Sequence, residues 1–118
     1  MNLTWLPPGA VSSLRHWHSA EEEVVVVLAP GDGLELRTDS GARGLGAGDC
    51  AVFPANSGDA HCLCNTGSVP ALYLEFGSSS KADVCHYPDD DMRTVLGTRG
   101  TPAASQFTHA GGTPYPRL

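Results

Sequence analysis

The stretch RHWHSAEEEVVVV, Arg15 to Val27, sets two histidines and three acids directly against four valines. In an extended strand, residues i and i+2 point to the same face, so His16 and His18 project together while Trp17 faces the other way. Two imidazoles at that spacing can hold one cation. Glu23, five positions after His18 across a short SAEE turn, can return a carboxylate to the same pocket from the next strand. This pattern predicts a divalent-metal site, with Glu21 and Glu22 as turn residues facing water. The same residues also fit a solvated acidic turn beside two ordinary histidines, and the spacing by itself leaves both open.

A second stretch, GAGDCAVFPANSGDAHCLCN, contains a turn at Gly48-Asp49, a strand from Cys50 to Phe53, and then Pro54, Gly58, His61 and Asn65. Alternation puts His61, Leu63 and Asn65 on one face, and Cys62 and Cys64 on the other. If His61 faces the pocket, the two cysteines point away from it. That argues against a C-x-C metal site and for thiols packed as small hydrophobes.

The elements that must position these residues are strands. Fourteen glycines and nine prolines leave few windows in which a helix could run. What remains is a series of short apolar runs, EVVVVLA, GLELRT, CAVFPA, HCLCN and ALYLEFG, bounded by turn sequences such as APGDG, NSGD and NTGSVP. Such runs at regular spacing predict an all-β sandwich or barrel. GLELRTDSGARGLGAGD reads as a hairpin with its tip near Asp39 to Gly41. After Gly77 the chain turns Pro-, Gly- and Ser-rich, which predicts an irregular tail over about 78–118 wrapped on a barrel core of about 10–77. A length of 118 residues, with 41% hydrophobic residues, fits one domain covering 1–118.

Composition narrows the function classes. The formal charge is −6, and only seven Lys and Arg residues are scattered along the chain. Nucleic acids and anionic membranes are captured by concentrated positive charge, so neither is expected as a partner. No apolar run approaches the ~20 residues of a membrane span. MNLTWLPPGAVSSLRHW has no basic region leading into an apolar stretch, so no signal peptide is predicted and a cytoplasmic location is expected. The four cysteines, Cys50, Cys62, Cys64 and Cys85, are then expected as reduced thiols.

Together, HWHSAEEEVVVVL and GAGDCAVFPANSGDAHCLCN resemble the two sequence motifs of the cupin superfamily, and the likeness to small single-domain bacterial cupins extends from about Leu14 to Tyr115. The resemblance implies an antiparallel β-barrel, or jelly roll, with one metal bound by His16, His18, Glu23 and His61. Two departures fall on loops. Pro30 stands where the family usually has Gly, with Gly31 displaced by one, and the common P-x-G reads Pro54-Ala55-Asn56, with His61 seven residues after Pro54.

Three imidazoles and a carboxylate suit Fe(II), Mn(II), Ni(II), Cu(II) or Zn(II). An Fe(II)-type oxygenase acting on a small organic molecule is expected first. Zn- or Mn-dependent isomerase, lyase or rearrangement chemistry comes next, with Glu23 as a general base if it swings off the metal. The rival from another class is a non-catalytic binding or sensor module with a structural metal. By parity the pocket wall takes Val25, Val27, Phe53 (or Val52) and Leu63. Tyr73 and Glu75 share a face of ALYLEFG; Leu72, Leu74 and Phe76 make the better core stripe, which favours the outer face for that pair, whereas on the inner face Glu75 would be a second buried carboxylate near the metal. Val24 and Val26 would be exposed on an isolated barrel, and small cupins pair through such strands, so a homodimer is expected. His86 and His109 are expected as surface or packing residues. Asp89, Asp90 and Asp91 are expected as a solvated or helix-capping run rather than a calcium cage.

Overall fold

Valine-rich Glu23–Ala29 runs through the middle of the larger sheet, and its neighbours follow from the pairing it imposes. The computed structural model describes residues 1–95 and 105–116, and the regular elements among them are all strands. In chain order these are β1 (Asn2–Leu6), β2 (Trp17–His18), β3 (Glu23–Ala29), β4 (Leu34–Thr38), β5 (Gly41–Gly44), β6 (Cys50–Phe53), β7 (Cys62–Asn65), β8 (Ala71–Gly77), β9 (Val84–Tyr87), β10 (Met92–Val95) and β11 (Gln106–His109). No helix among the described residues is long and apolar enough to cross a membrane.

The strands pair antiparallel in the orders β1-β8-β3-β6, β5-β4-β7 and β11-β10-β9-β2. The segment before β2 joins the last two groups. Ser12 N donates to Leu63 O at 2.8 Å, and His16 and His61 exchange backbone bonds at 3.1 and 2.8 Å. The result is the expected all-β antiparallel jelly roll. The expected hairpin is also present, with Thr38 opposite Gly41 across its tip.

Between the layers lies a core of Leu6, Val25, Val27, Leu34, Leu63, Ala71 and Tyr73. Asn65 is buried at its edge. It donates to Leu6 O at 3.0 Å and Val69 O at 2.9 Å, and accepts from Gly67 N at 3.0 Å, so the motif asparagine fixes loops rather than facing a ligand.

Two expectations are corrected. The chain after Gly77 is not irregular throughout: β9, β10 and β11 form a sheet that continues into β2, and β1 lies outside the expected core of 10–77 yet pairs with β8 along its whole length. Residues 96–104 and 117–118 of the expected tail lie outside the described residues. The face of β8 is also reversed. Val25 and Val27 point inward, and the register sets Glu75 opposite Val25 and Tyr73 opposite Val27. Paired residues share a face, so Tyr73 and Glu75 must point inward and Leu72, Leu74 and Phe76 outward. Asp89 to Asp91 form the expected solvated run: all three are exposed, Asp89 pairing with Arg15 at 2.9 Å and Asp91 with His109 at 2.9 Å.

The outer face of the larger sheet is apolar across all four strands. Leu3 and Trp5 of β1, Phe76 of β8, Leu28 of β3 and Val52 of β6 are all exposed, Trp5 by 62% and Val52 by 61%. Val24 and Val26, expected to be exposed, are half-buried between these neighbours. Deep in the core, Leu34→Ala should lower stability by about 2–5 kcal/mol, read as a lower urea midpoint with an unchanged slope.

Candidate metal centre

Each candidate ligand is positioned by a separate element. His16 sits at the bridge to His61, His18 ends β2, Glu23 begins β3, and His61 precedes β7. Their side chains converge. Oε2 of Glu23 lies 2.8 Å from Nε2 of His61, 3.5 Å from Nε2 of His18 and 3.6 Å from Nε2 of His16. One carboxylate oxygen thus faces three imidazole nitrogens at the meeting point of three sheets. Trp17, by the same alternation, faces away and stacks on His86 with ring centroids 4.1 Å apart.

The far nitrogens of two imidazoles are tied down. His16 Nδ1 lies 2.8 Å from the carbonyl of Leu14, and His18 Nδ1 lies 2.5 Å from Oδ2 of Asp83. An imidazole that donates from Nδ1 presents a bare lone pair at Nε2, which is how carboxylates and carbonyls orient metal-binding histidines. His61 is held differently. Its ring stacks on Phe53 at a centroid distance of 3.6 Å and an angle of 4°, while its buried Nδ1 has no hydrogen-bond partner among the described residues. Three nitrogens and an oxygen facing one point, two of the rings pre-oriented, fit a divalent transition metal. His16, Glu23 and His61 bring ligand atoms within 4.8 Å of one another, and His16 does the same with His18 and Cys85.

The electrostatics follow from the crowding. Burial works to raise the Glu23 carboxyl, but hydrogen bonds from His16 and His61, and the nearby imidazoles, outweigh it and hold the group far below the ordinary range. Burial works against the charged form of His16 too, yet its contacts with Glu23 and Leu14 raise it. Asp83 is lowered: burial opposes this, and the bonds from His18 and the Ala20 and Glu21 amides prevail.

A cavity of about 450 Å³ opens beside this cluster, lined by His16, Glu23 and His61 and walled by Val25, Phe53 and Leu63. Val27 does not reach it; one step further along β3, it is buried in the core. Tyr73 and Glu75 do line it, and so do Glu21 and Glu22, which were expected to face water alone. Gly77 stands opposite Glu23 in the β3–β8 pairing, and a Cβ there would meet the Glu22 carbonyl at 2.1 Å. This glycine keeps the chain close to the acidic turn and leaves room beside Glu23. Asn56, which replaces the usual glycine after Pro54, adopts a φ of 58°, a left-handed conformation that asparagine tolerates better than most residues. Its amide donates to the His18 carbonyl at 2.8 Å, which ties this loop to β2.

Cys62 and Cys64 point away from the cavity, as expected, and are buried with their sulfurs 3.9 Å apart. His109 lies outside the cluster beside Asp91. The residue that sequence reasoning missed is Asp83. It is buried, orients His18, and accepts from the amides of Ala20 at 2.8 Å and Glu21 at 3.3 Å, so it also shapes the SAEE turn. The signal was the alternation in DVCHY, which puts Asp83, Cys85 and Tyr87 on one face. Only the pairing of His18 with Cys85 reveals what that face meets.

These shifts have opposite signs with pH. The lowered acids contribute stability that is fully present above their ordinary values, 4.5 for Glu23 and 3.8 for Asp83, and is lost on acidification. The raised His16 contributes stability that is present below 6.5 and is lost as pH rises through its folded value. Metal-free protein should therefore be most stable between pH 4.5 and 6.5 in urea unfolding across a pH series. Asp83→Asn should make the acid limb shallower.

Comparison with known proteins agrees with this architecture. Residues 2–77 match the sequence profile of the Cupin domain family. A sugar phosphate isomerase of the cupin superfamily from Silicibacter pomeroyi superposes with a TM-score of 0.87 at 34% identity, covering 97% of this chain and 69% of that one. A putative sugar phosphate isomerase from Acidithiobacillus ferrooxidans superposes with a TM-score of 0.79 at 26% identity, over 98% of this chain and 70% of that one. No curated protein matches. With the motif residues, the jelly roll and the family match in agreement, the chain belongs to the cupin family.

Proposed function

We propose that this cupin is a metal-dependent isomerase of a small hydroxycarbonyl compound of the sugar class, with one divalent ion held by His16, His18, Glu23 and His61. The carrying observation is the approach of three Nε2 atoms to within 3.6 Å of Glu23 Oε2, with two of the rings oriented from behind. The names of both structural neighbours support the reaction class, and they favour a redox-neutral rearrangement over the Fe(II)-type oxygenation expected first. Zn(II) and Mn(II) suit both the donor set and this chemistry. When bound, such an ion acts as a Lewis acid on the carbonyl and adjacent hydroxyl, acidifying the C–H bond between them.

The chain itself must move one proton between two carbons. Glu23, boxed in by three imidazoles, serves as a ligand rather than as the base, and Glu75 is the better carrier. It lies on the strand next to Glu23, opposite Val25 and therefore diagonal to Glu23, a separation of about 7–8 Å between backbones that long side chains can bridge. Its Oε1 accepts from Thr4 at 3.3 Å and Asn2 at 3.4 Å, which leaves Oε2 for substrate. Glu75 takes the proton from the hydroxyl-bearing carbon and returns it to the former carbonyl carbon. One proton passes between the two oxygens, so nothing is oxidised or reduced overall. Tyr73 stays protonated, since burial pushes its phenol up to about 12, and it stands on the cavity wall as a neutral hydrogen-bond donor.

Purified protein should carry about one divalent ion per chain, and His61→Ala should lose it. Metal-loaded protein should exchange solvent deuterium into the carbons flanking an aldose or ketose carbonyl, followed by NMR. Glu75→Gln should slow this by ~10²–10⁴-fold with metal content unchanged. Oxygen consumption with substrate would favour the oxygenase, and bound metal with no exchange would favour the non-catalytic binding module.

The apolar outer face of the larger sheet supports a homodimer built on β1, β8, β3 and β6. A face carrying Leu3, Trp5 and Val52 in the open is what paired sheets bury. Light scattering should give twice the chain mass, and Val52→Asp should shift it to the monomer without loss of bound metal.

A further inference from the structure

The side-chain charge on the cavity wall is predominantly negative, with Met1 at the amino terminus also on the lining. Glu21, Glu22, Glu23 and Glu75 all line it, whereas no Lys or Arg side chain among the described residues does. Arg15, the cation nearest in sequence to the histidines, is occupied elsewhere, bonded to Asp39 and Asp89 and to the carbonyl of Ala60. Lys81 is exposed and lies outside the lining.

The serines at the rim do not make good this lack of cations. Ser78 Oγ accepts from the Glu22 amide at 2.8 Å, and the Ser78 amide donates to the Glu22 carbonyl at 3.0 Å. The Ser80 amide donates to Oε1 of Glu21 at 3.0 Å. On the opposite wall, Ser12 Oγ accepts from the Leu63 amide at 2.9 Å, and Ser13 Oγ lies 3.2 Å from His16 Nδ1. The Ser78 and Ser80 amides are thus engaged with the acidic turn, and the Ser12 and Ser78 hydroxyl oxygens serve as acceptors. A phosphate group needs the reverse: clustered amides, Arg or Lys. A divalent ion held by His16, His18, Glu23 and His61 would offset two of the four negative charges. What does suit this wall is a chain of hydroxyl groups, since carboxylates, serines and Thr4 accept from neutral donors without repulsion.

We infer that the substrate is an uncharged polyhydroxylated carbonyl compound, a free sugar rather than its phosphate ester, selected by the four carboxylates that line the cavity. This inference rests on the isomerase reading and departs from the phosphorylated substrates in the names of the structural neighbours.

The test pairs free aldoses and ketoses of three to six carbons with their terminal phosphate esters on metal-loaded protein. Equilibrium binding is measured beside isomerisation. The free sugar should bind at least ~10-fold more tightly than its ester, and the ester alone should bind better as salt rises and screens the repulsion. Glu22→Lys, on an exposed residue, should narrow the gap by favouring the ester. An ester that binds as well as or better than its free sugar overturns the inference, whether or not it is isomerised, and so does binding of neither. A free sugar that binds preferentially without being isomerised upholds the charge selection and counts against the isomerase reading alone.

Discussion

Four polar side chains meeting at one oxygen constitute the constraint around which this fold is arranged. Glu23 Oε2 cannot sit within 3.6 Å of three imidazole nitrogens unless three sheets converge there. The His16–His61 bridge brings two of them together through the backbone, β2 carries the third, and β3 carries the acid. Desolvating such a cluster is costly unless each member is paired, which accounts for the partners behind His16 and His18 and for the depressed acids. The valines that follow Glu23 anchor it, since Val25 and Val27 lock the strand into the core immediately beyond the polar cluster.

Much of this was legible in the residues themselves. Alternation placed His16 and His18 on one face, and Glu23 does open a strand, because the change from acids to valines marks where the chain enters the interior. His61 with Leu63, set against Cys62 and Cys64, followed from the same period of two. The apparent defect at Asn56 was legible as a loop change, though not as a preserved left-handed turn; asparagine is the residue that can stand in there.

The misreadings share one physical cause. Period-two patterns identify the inner face only when the outer face is polar, and here the outer faces of β8 and β3 are apolar while the inner face of β8 carries Tyr73 and Glu75. Counting hydrophobic residues therefore favoured Leu72, Leu74 and Phe76, whereas the register with β3 turns Tyr73 and Glu75 inward. Glu21 and Glu22 were read as solvated because a turn of acids looks like one, but Gly77 lets that turn press against the cavity. Asp83 was missed because its partner is 65 residues away in sequence, and no local pattern encodes such a pairing.

Asp83 also bears on what counts as the smallest working unit. The family match ends at Gly77, yet the carboxylate that orients His18 and tethers the SAEE turn stands beyond it, just before the first strand of the sheet formed by β9, β10 and β11. The jelly roll matched by the profile is thus incomplete as chemistry: one of its imidazoles takes its orientation from an appended layer. Variation in that layer, far from the motif and outside its definition, acts on the histidine directly, and this gives the chain a means of reorienting His18 without altering any of the four candidate ligands.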